Sequence, residues 1–165
     1  MAYCQINEGL VMNAIAEFNP TAHLQTSAYS RALLRVSDMV KVNIKNQLDE
    51  VALTQAGVLP TAVEVLAKSI VTINELSWVI ARRTLTHRKN KGERLTPEES
   101  GRWLRAAKIC TLAEEVFSNK NKASTWLRKP RKAFNNQSAM AIMQTEPGAK
   151  LVEDTLNQID AGYFA

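Results

Sequence analysis

Thr96-Pro97-Glu98-Glu99 constrains this chain more than any other stretch. It is a helix start. The threonine hydroxyl can accept from the N–H three residues on, where a glutamate can reach back to the threonine's own N–H. Proline fits the first helical position, where no N–H is needed, and the acids suit the positive end of the helix dipole. Trp103, Ala106, Ala107, Cys110, Ala113 and Phe117 then recur at intervals of three and four. Leu104, Ile109, Leu112 and Val116 extend this stripe almost all round. The pattern predicts a helix from Thr96 to about Phe117 that is buried on more than one side. Such a helix is a spine joining two halves.

The flanking signals are helical too. Leu10, Val11, Ala14 and Phe18 permit a short helix before the turn at Asn19-Pro20-Thr21. Residues 31–45 read two ways: a helix on Leu33, Leu34, Val36 and Val40, or a strand on Val40, Val42 and Ile44 that pairs with a second subunit. Leu48, Val51, Ala52 and Gln55 share a helical face that ends at Gly57. Pro60 opens a helix with Val63, Leu66, Ala67 and Ile70 inward. Thr72 can cap a helix over 73–78, and Val79-Ile80 turns the chain into a basic helix over 82–89. A short helix, a tight connection and a second helix make the layout of a helix-turn-helix. After the spine, a helix over 120–127 stops before Pro130, and 133–137 is a loop. Ser138 caps a short helix, and Thr145 caps a final one with Ala149, Val152, Leu156, Ile159 and Tyr163 on one stripe.

The 165 residues, 45% of them apolar, suffice for one compact unit or two very small ones. No apolar run is long enough for a membrane span, and no signal peptide is evident. Cys4 and Cys110 read as reduced thiols of a cytoplasmic protein, and His23 and His87 stand alone, so no metal site is expected. The inventory offers no phosphate loop, no nucleophile beside a base and no paired carboxylates beyond helix caps and a solvated face. An enzyme is not expected, and no cofactor is.

The net charge of +5 is unevenly distributed. One basic cluster spans Arg82 to Arg94. A second runs from Lys120 to Lys132, with no acid between Glu115 and Glu146. Either could meet a polyanion or serve as a solvated face. Arg82, Arg83, Thr84, Thr86, His87, Arg88 and Lys89 are the DNA-reading candidates, since they lie on the second helix of the helix-turn-helix layout. Lys91 and Arg94 suit phosphates. Trp126 reads first as a core residue and second as a partner contact. Tyr163 and Phe164, after Gly162, either fold back on the protein or fill a partner's pocket.

Over residues 48–165 the chain resembles the Xre/MbcA/ParS antitoxins. Leu95-Thr96-Pro97-Glu98-Glu99-Ser100 opens the long helix as in that family, and Val116-Phe117 closes it. Trp126-Leu127-Arg128-Lys129-Pro130, Pro130-Arg131-Lys132-Ala133-Phe134 and Thr145-Glu146-Pro147-Gly148-Ala149 through Gly162-Tyr163-Phe164-Ala165 resemble the toxin-binding part. Gln55-Ala56-Gly57-Val58 and Arg82-Arg83-Thr84-Leu85 resemble the Xre-like DNA-binding half. There are departures. Asn135-Asn136 replaces a usual glycine pair, Ala139 to Met143 replaces a leucine-rich run, and Val79 stands where the turn often carries glycine.

The resemblance implies an all-α chain with an N-terminal extension over 1–45, considered for dimerisation, a helix-turn-helix module over 46–95 and a toxin-binding domain over 96–165. It implies an antitoxin of a type II system. Its partners would be a RES/ParT-like toxin that degrades NAD or ADP-ribosylates a target, operator DNA and a second copy. Trp126, Arg128, Gly162, Tyr163, Phe164 and Ala165 are the toxin-binding candidates, with the closing residues reaching toward the toxin's NAD cleft. The alternative is a helix-turn-helix transcription regulator whose C-terminal half only dimerises, with no toxin partner.

Overall fold

The spine is a single helix, here α5 (Pro97–Phe117), in a computed structural model that describes residues 27–163. Its capping box forms as expected: Glu99 N–H donates to Thr96 Oγ1, and Thr96 N–H donates to the Glu99 carboxylate. Trp103, Ala106, Ala107 and Cys110 are fully buried, and so are Ser100, Thr111 and Glu114 on other faces of the same helix. The helices around it are α1 (Ala28–Val40), α2 (Gln47–Ala56), α6 (Lys120–Arg128) and α8 (Glu146–Asp160), all of which pack on α5. α3 (Pro60–Ala67) and α4 (Arg82–Lys91) pack on each other, and α7 (Ala139–Ile142) lies between α6 and α8. No strand occurs among the described residues. There is one isolated bridge, between Arg131 and Gln137. The fold is all-α.

Residues 31–45 resolve as the helical alternative. Ser27 caps α1, Lys41 ends it in the left-handed region at φ 57°, and Ile44 is buried in the extended stretch that follows. The inward residues are Ala28, Ala32 and Val36, so Leu34, expected inward, is exposed. The reason is a partner that the local pattern could not name. Arg31 and Arg35 reach Glu115 and Glu114 on α5, which fixes the rotation of α1 about its axis. Burial alone would lower the Arg35 guanidinium, but the two carboxylates hold it above its ordinary range.

One further expectation is kept, with its side now known, and one is corrected. Leu48, Val51, Ala52 and Gln55 do share a face of α2, but it is the outer one. Leu48 is 78% exposed, and only Leu53 is buried. Lys108 of α5 pairs with Glu50 at 3.1 Å, which turns that side of α2 inward instead. Residues 73–79 form consecutive turns rather than a helix, although Thr72 and Glu75 exchange cap-like hydrogen bonds at their start. Thr72 and Glu75 thus supply a helix start, and the Glu75 carboxylate also accepts from Arg128 of α6.

The C-terminal elements follow their caps. Asn119, Ser138 and Thr145 accept from the N–H three residues on, at the starts of α6, α7 and α8. Between α6 and α7 the expected loop contains a 3-10 turn, Lys132–Phe134, closed by left-handed Asn135 and Asn136. Asparagine tolerates that region, so the turn survives without the glycine pair. Gly148 in the first turn of α8 sits where a Cβ would stand 2.0 Å from the Ile142 carbonyl oxygen, so α7 and α8 meet only because it is glycine. The expected N-terminal helix and its turn, Cys4, His23, Phe164 and Ala165 lie outside the described residues.

Candidate DNA and partner interfaces

α4 buries one residue, Leu85, and turns the rest outward. Arg82, Arg83 and His87 are exposed and have no hydrogen bond or ion pair to another side chain among the described residues. Thr86 is exposed but bonds back to the Arg82 carbonyl at 3.0 Å, and Thr84 is half-buried. Lys89 pairs with Glu64 of α3 at 2.7 Å. Arg88 points the other way. Its Nε lies 3.1 Å from the carboxylate of Glu99, the residue that also closes the cap of α5, and its Nη1 donates to the Arg94 carbonyl. The structure therefore separates the predicted set: Arg82, Arg83 and His87 face solvent, while Arg88 ties α4 to the start of the spine. Arg94 likewise donates to the Gly57 carbonyl, at 2.8 Å.

The connection before α4 needs no glycine. Val79 is fully buried and is not among the residues with positive φ. Its carbonyl accepts from Arg102 Nε at 3.1 Å, so the turn is fastened to α5 by the group a glycine would also have carried.

On the C-terminal side, Trp126 is only 7% exposed. Its ring lies 5.8 Å from Phe117 and 6.0 Å edge-on from Phe134, and the Arg131 guanidinium covers it at 4.6 Å. That leaves the tryptophan little surface to offer a partner, in line with the core reading. Arg128 is also engaged. It makes a two-pronged bond to Glu75, with both contacts at 2.8 Å, and donates to the Ile70 carbonyl at 3.0 Å and to Ser124. Partial burial would raise the Glu75 carboxyl, but Arg128 together with the Thr72 N–H and hydroxyl hold it below its ordinary range. This clasp joins residues far apart in sequence, and no local pattern announced it. Gly162 adopts φ +80° and directs Tyr163 outward, where it is 77% exposed rather than continuing the buried stripe of α8. The Tyr163 backbone N–H is held by the Gln158 carbonyl.

Residues 112–162 match the antitoxin Xre/MbcA/ParS C-terminal toxin-binding domain. An "Antitoxin Xre" of Pseudomonas putida is 37% identical over 101 residues, which is 61% of this chain and 64% of that protein. A protein of the same description from Yersinia enterocolitica is 36% identical over 87 residues, 52% of this chain and 59% of the relative. The C-terminal third of the chain is thus similar to the toxin-binding domain of the Xre/MbcA/ParS antitoxins. The chain's match spans less than two thirds of the length of either relative.

The segment that matches this domain begins inside α5, at Leu112, and takes in the aromatic cluster, α6, α7, α8 and Gly162. The spine is thus shared between that segment and α1–α4, which also meet directly where α1 packs on α8 and Arg128 clasps Glu75. Among the described residues no helix is long and apolar enough to cross a membrane, and no cluster of three or more histidine, cysteine or acidic side chains could hold a metal ion.

Proposed function

We propose that the chain is a type II antitoxin with two working surfaces. The toxin-binding domain docks on a RES/ParT-like toxin and blocks its NAD cleft, and α4 reads operator DNA to repress the antitoxin's own operon, as a homodimer on paired half-sites. The observation that carries the reading is the toxin-binding-domain match ending at Gly162, next to an exposed Tyr163. A large ring with a polar hydroxyl, held outside its own core, is the kind of group that anchors an interface. Phe164 and Ala165 continue from it in sequence and are proposed to share its role. Trp126 and Arg128 serve the same surface from beneath, by fixing the positions of α6 and of the 3-10 turn.

The test is removal of residues 162–165. The shortened chain is expected to keep its helical circular dichroism and melting temperature. It should inhibit the toxin's NAD consumption more than about tenfold less well, the loss that goes with an anchor worth ~2 kcal/mol. Wild-type inhibition by a well-folded shortened chain would move the contact to the helical faces.

On the DNA side, Arg82 and Arg83 are the exposed pair at the start of α4 and the best placed to reach base edges. Arg82→Ala with Arg83→Ala is expected to abolish specific binding to the upstream DNA in a gel-shift titration and to leave toxin neutralisation unchanged. A specific base contact is worth about 1–3 kcal/mol. Unchanged binding by the double variant would remove α4 as the reader.

A further inference from the structure

We propose that the lysine face formed by α6 and the turn after it is a second nucleic-acid surface, one that grips the phosphate backbone of duplex DNA without reading its sequence. The first observation is a charge left unbalanced. Lys120, Lys122, Lys129 and Lys132 are all exposed, and none is ion-paired among the described residues. Arg128, in the same run, is neutralised by Glu75 and is not part of the surplus. Several cations elsewhere, outside the start of α4, are matched: Arg35 with Glu114, Lys89 with Glu64, Lys108 with Glu50, Lys150 with Asp154. A concentration of one sign on a single small helix and its following turn is a local positive field.

The second observation is shape. An open groove of about 390 Å³ lies among these lysines, lined by Phe117, Lys122, Thr125, Trp126, Lys129 and Arg131. Arg131 closes over the Trp126 ring, and its Nε finds no hydrogen-bond acceptor among the described residues. A charged donor without an acceptor is costly, and the guanidinium that carries it lines the groove, where a phosphate oxygen can pair with it.

The composition of the face selects the ligand. The core of a protein–protein contact is depleted in lysine and rich in exposed aromatic rings. Here lysines dominate, and the one tryptophan is turned into the core. Lysine is a mobile point charge, suited to phosphates whose register is not fixed. The proposal rests on the DNA-binding reading of α4 only in taking duplex DNA as the polyanion. It gives the toxin-binding domain a share in holding DNA that the sequence-reading helix does not have.

The test uses the full chain and fluorescence anisotropy on two labelled duplexes, the upstream operator region and a scrambled one, over a series of salt concentrations. The variant is Lys122→Gln with Lys129→Gln and Lys132→Gln, at exposed positions where melting should be unchanged. The plot of log affinity against log salt is expected to flatten by roughly 2 to 3 on both duplexes alike, about 0.9 for each phosphate no longer neutralised. An unchanged slope overturns the proposal. So does a variant that binds DNA as wild type but loses affinity for a co-purifying protein, which would give the face to an acidic protein surface. The Arg82→Ala/Arg83→Ala chain, run in parallel, separates the two readings. If α4 is not the reader, that chain binds as wild type while the lysine variant still shows the flatter slope.

Discussion

At the residue scale, the charged groups that matter most are those that join distant parts of the chain. Glu114 is buried on α5, yet it accepts from Arg35 of α1 and from the hydroxyl of Ser69 after α3. Glu75 does the same for α6 through Arg128. Its carboxyl is held below the ordinary range, so the folded state binds its proton less readily than the unfolded chain does. The stability this contributes is present above the unfolded value, about 4.3, and is lost as pH falls through the lowered folded value. Glu75→Gln should therefore melt at lower urea than wild type at neutral pH, and the two should converge once the pH has fallen below the lowered folded value. A gap that persists in acid would show that the glutamine fails for reasons of packing. Trp103 is the other deciding residue. Its ring is 0% exposed, and its Nε1 has no acceptor among the described residues. Trp103→Ala should lower stability by about 3–5 kcal/mol in urea melts. Trp103→Phe should cost much less, because it also removes the unpaired donor.

At the element scale, caps set where helices start, and contacts set how they are turned. Each of α1, α2, α5, α6, α7 and α8 begins at a serine, threonine or asparagine whose side chain accepts a backbone N–H. α7 has only four residues and no helical stability of its own, so its place depends on α8. Gly148 is what permits their approach. Gly148→Ala should push the Ile142 carbonyl away and destabilise the chain by about 1–3 kcal/mol, read as a lower melting temperature, with a matching loss of toxin inhibition. A variant as stable as wild type would mean the junction relaxes freely. α4 is the opposite case. It has no side-chain cap and a single buried residue, and it is held by Arg88 on Glu99 and Lys89 on Glu64. The same bonds that fix α4 thereby remove two residues from the set free to touch DNA.

At the scale of the whole molecule, α5 carries one contiguous core among the described residues that includes α1, α3 and the segment similar to the toxin-binding domain. A loss of packing on one side of α5 is therefore felt on the other. Arg35→Ala, which removes the link from α1 to Glu114, is expected to lower the melting temperature of the whole chain in one transition, by calorimetry. Breaking a pair and leaving a buried carboxylate costs about 3–5 kcal/mol when burial is complete, and less here because Arg35 is half-exposed. Two separate transitions would mean that α1–α4 and the toxin-binding segment fold independently.

Periodicity and capping chemistry are local, and what they govern was legible in the sequence. The capping box at Thr96, the end of α5 at Phe117, Gly57 closing α2 and the all-α class need only neighbours within a few residues. The orientation of helices is a long-range matter. The outward face of Leu48 and Val51 and the engagement of Arg88 and Arg128 in ion pairs were each decided by a charge on another element: Lys108, Glu99 and Glu75. An ion pair formed between separate elements leaves no trace in the spacing of either partner, so only the tertiary structure could show which cations were spent on the fold and which were left to bind.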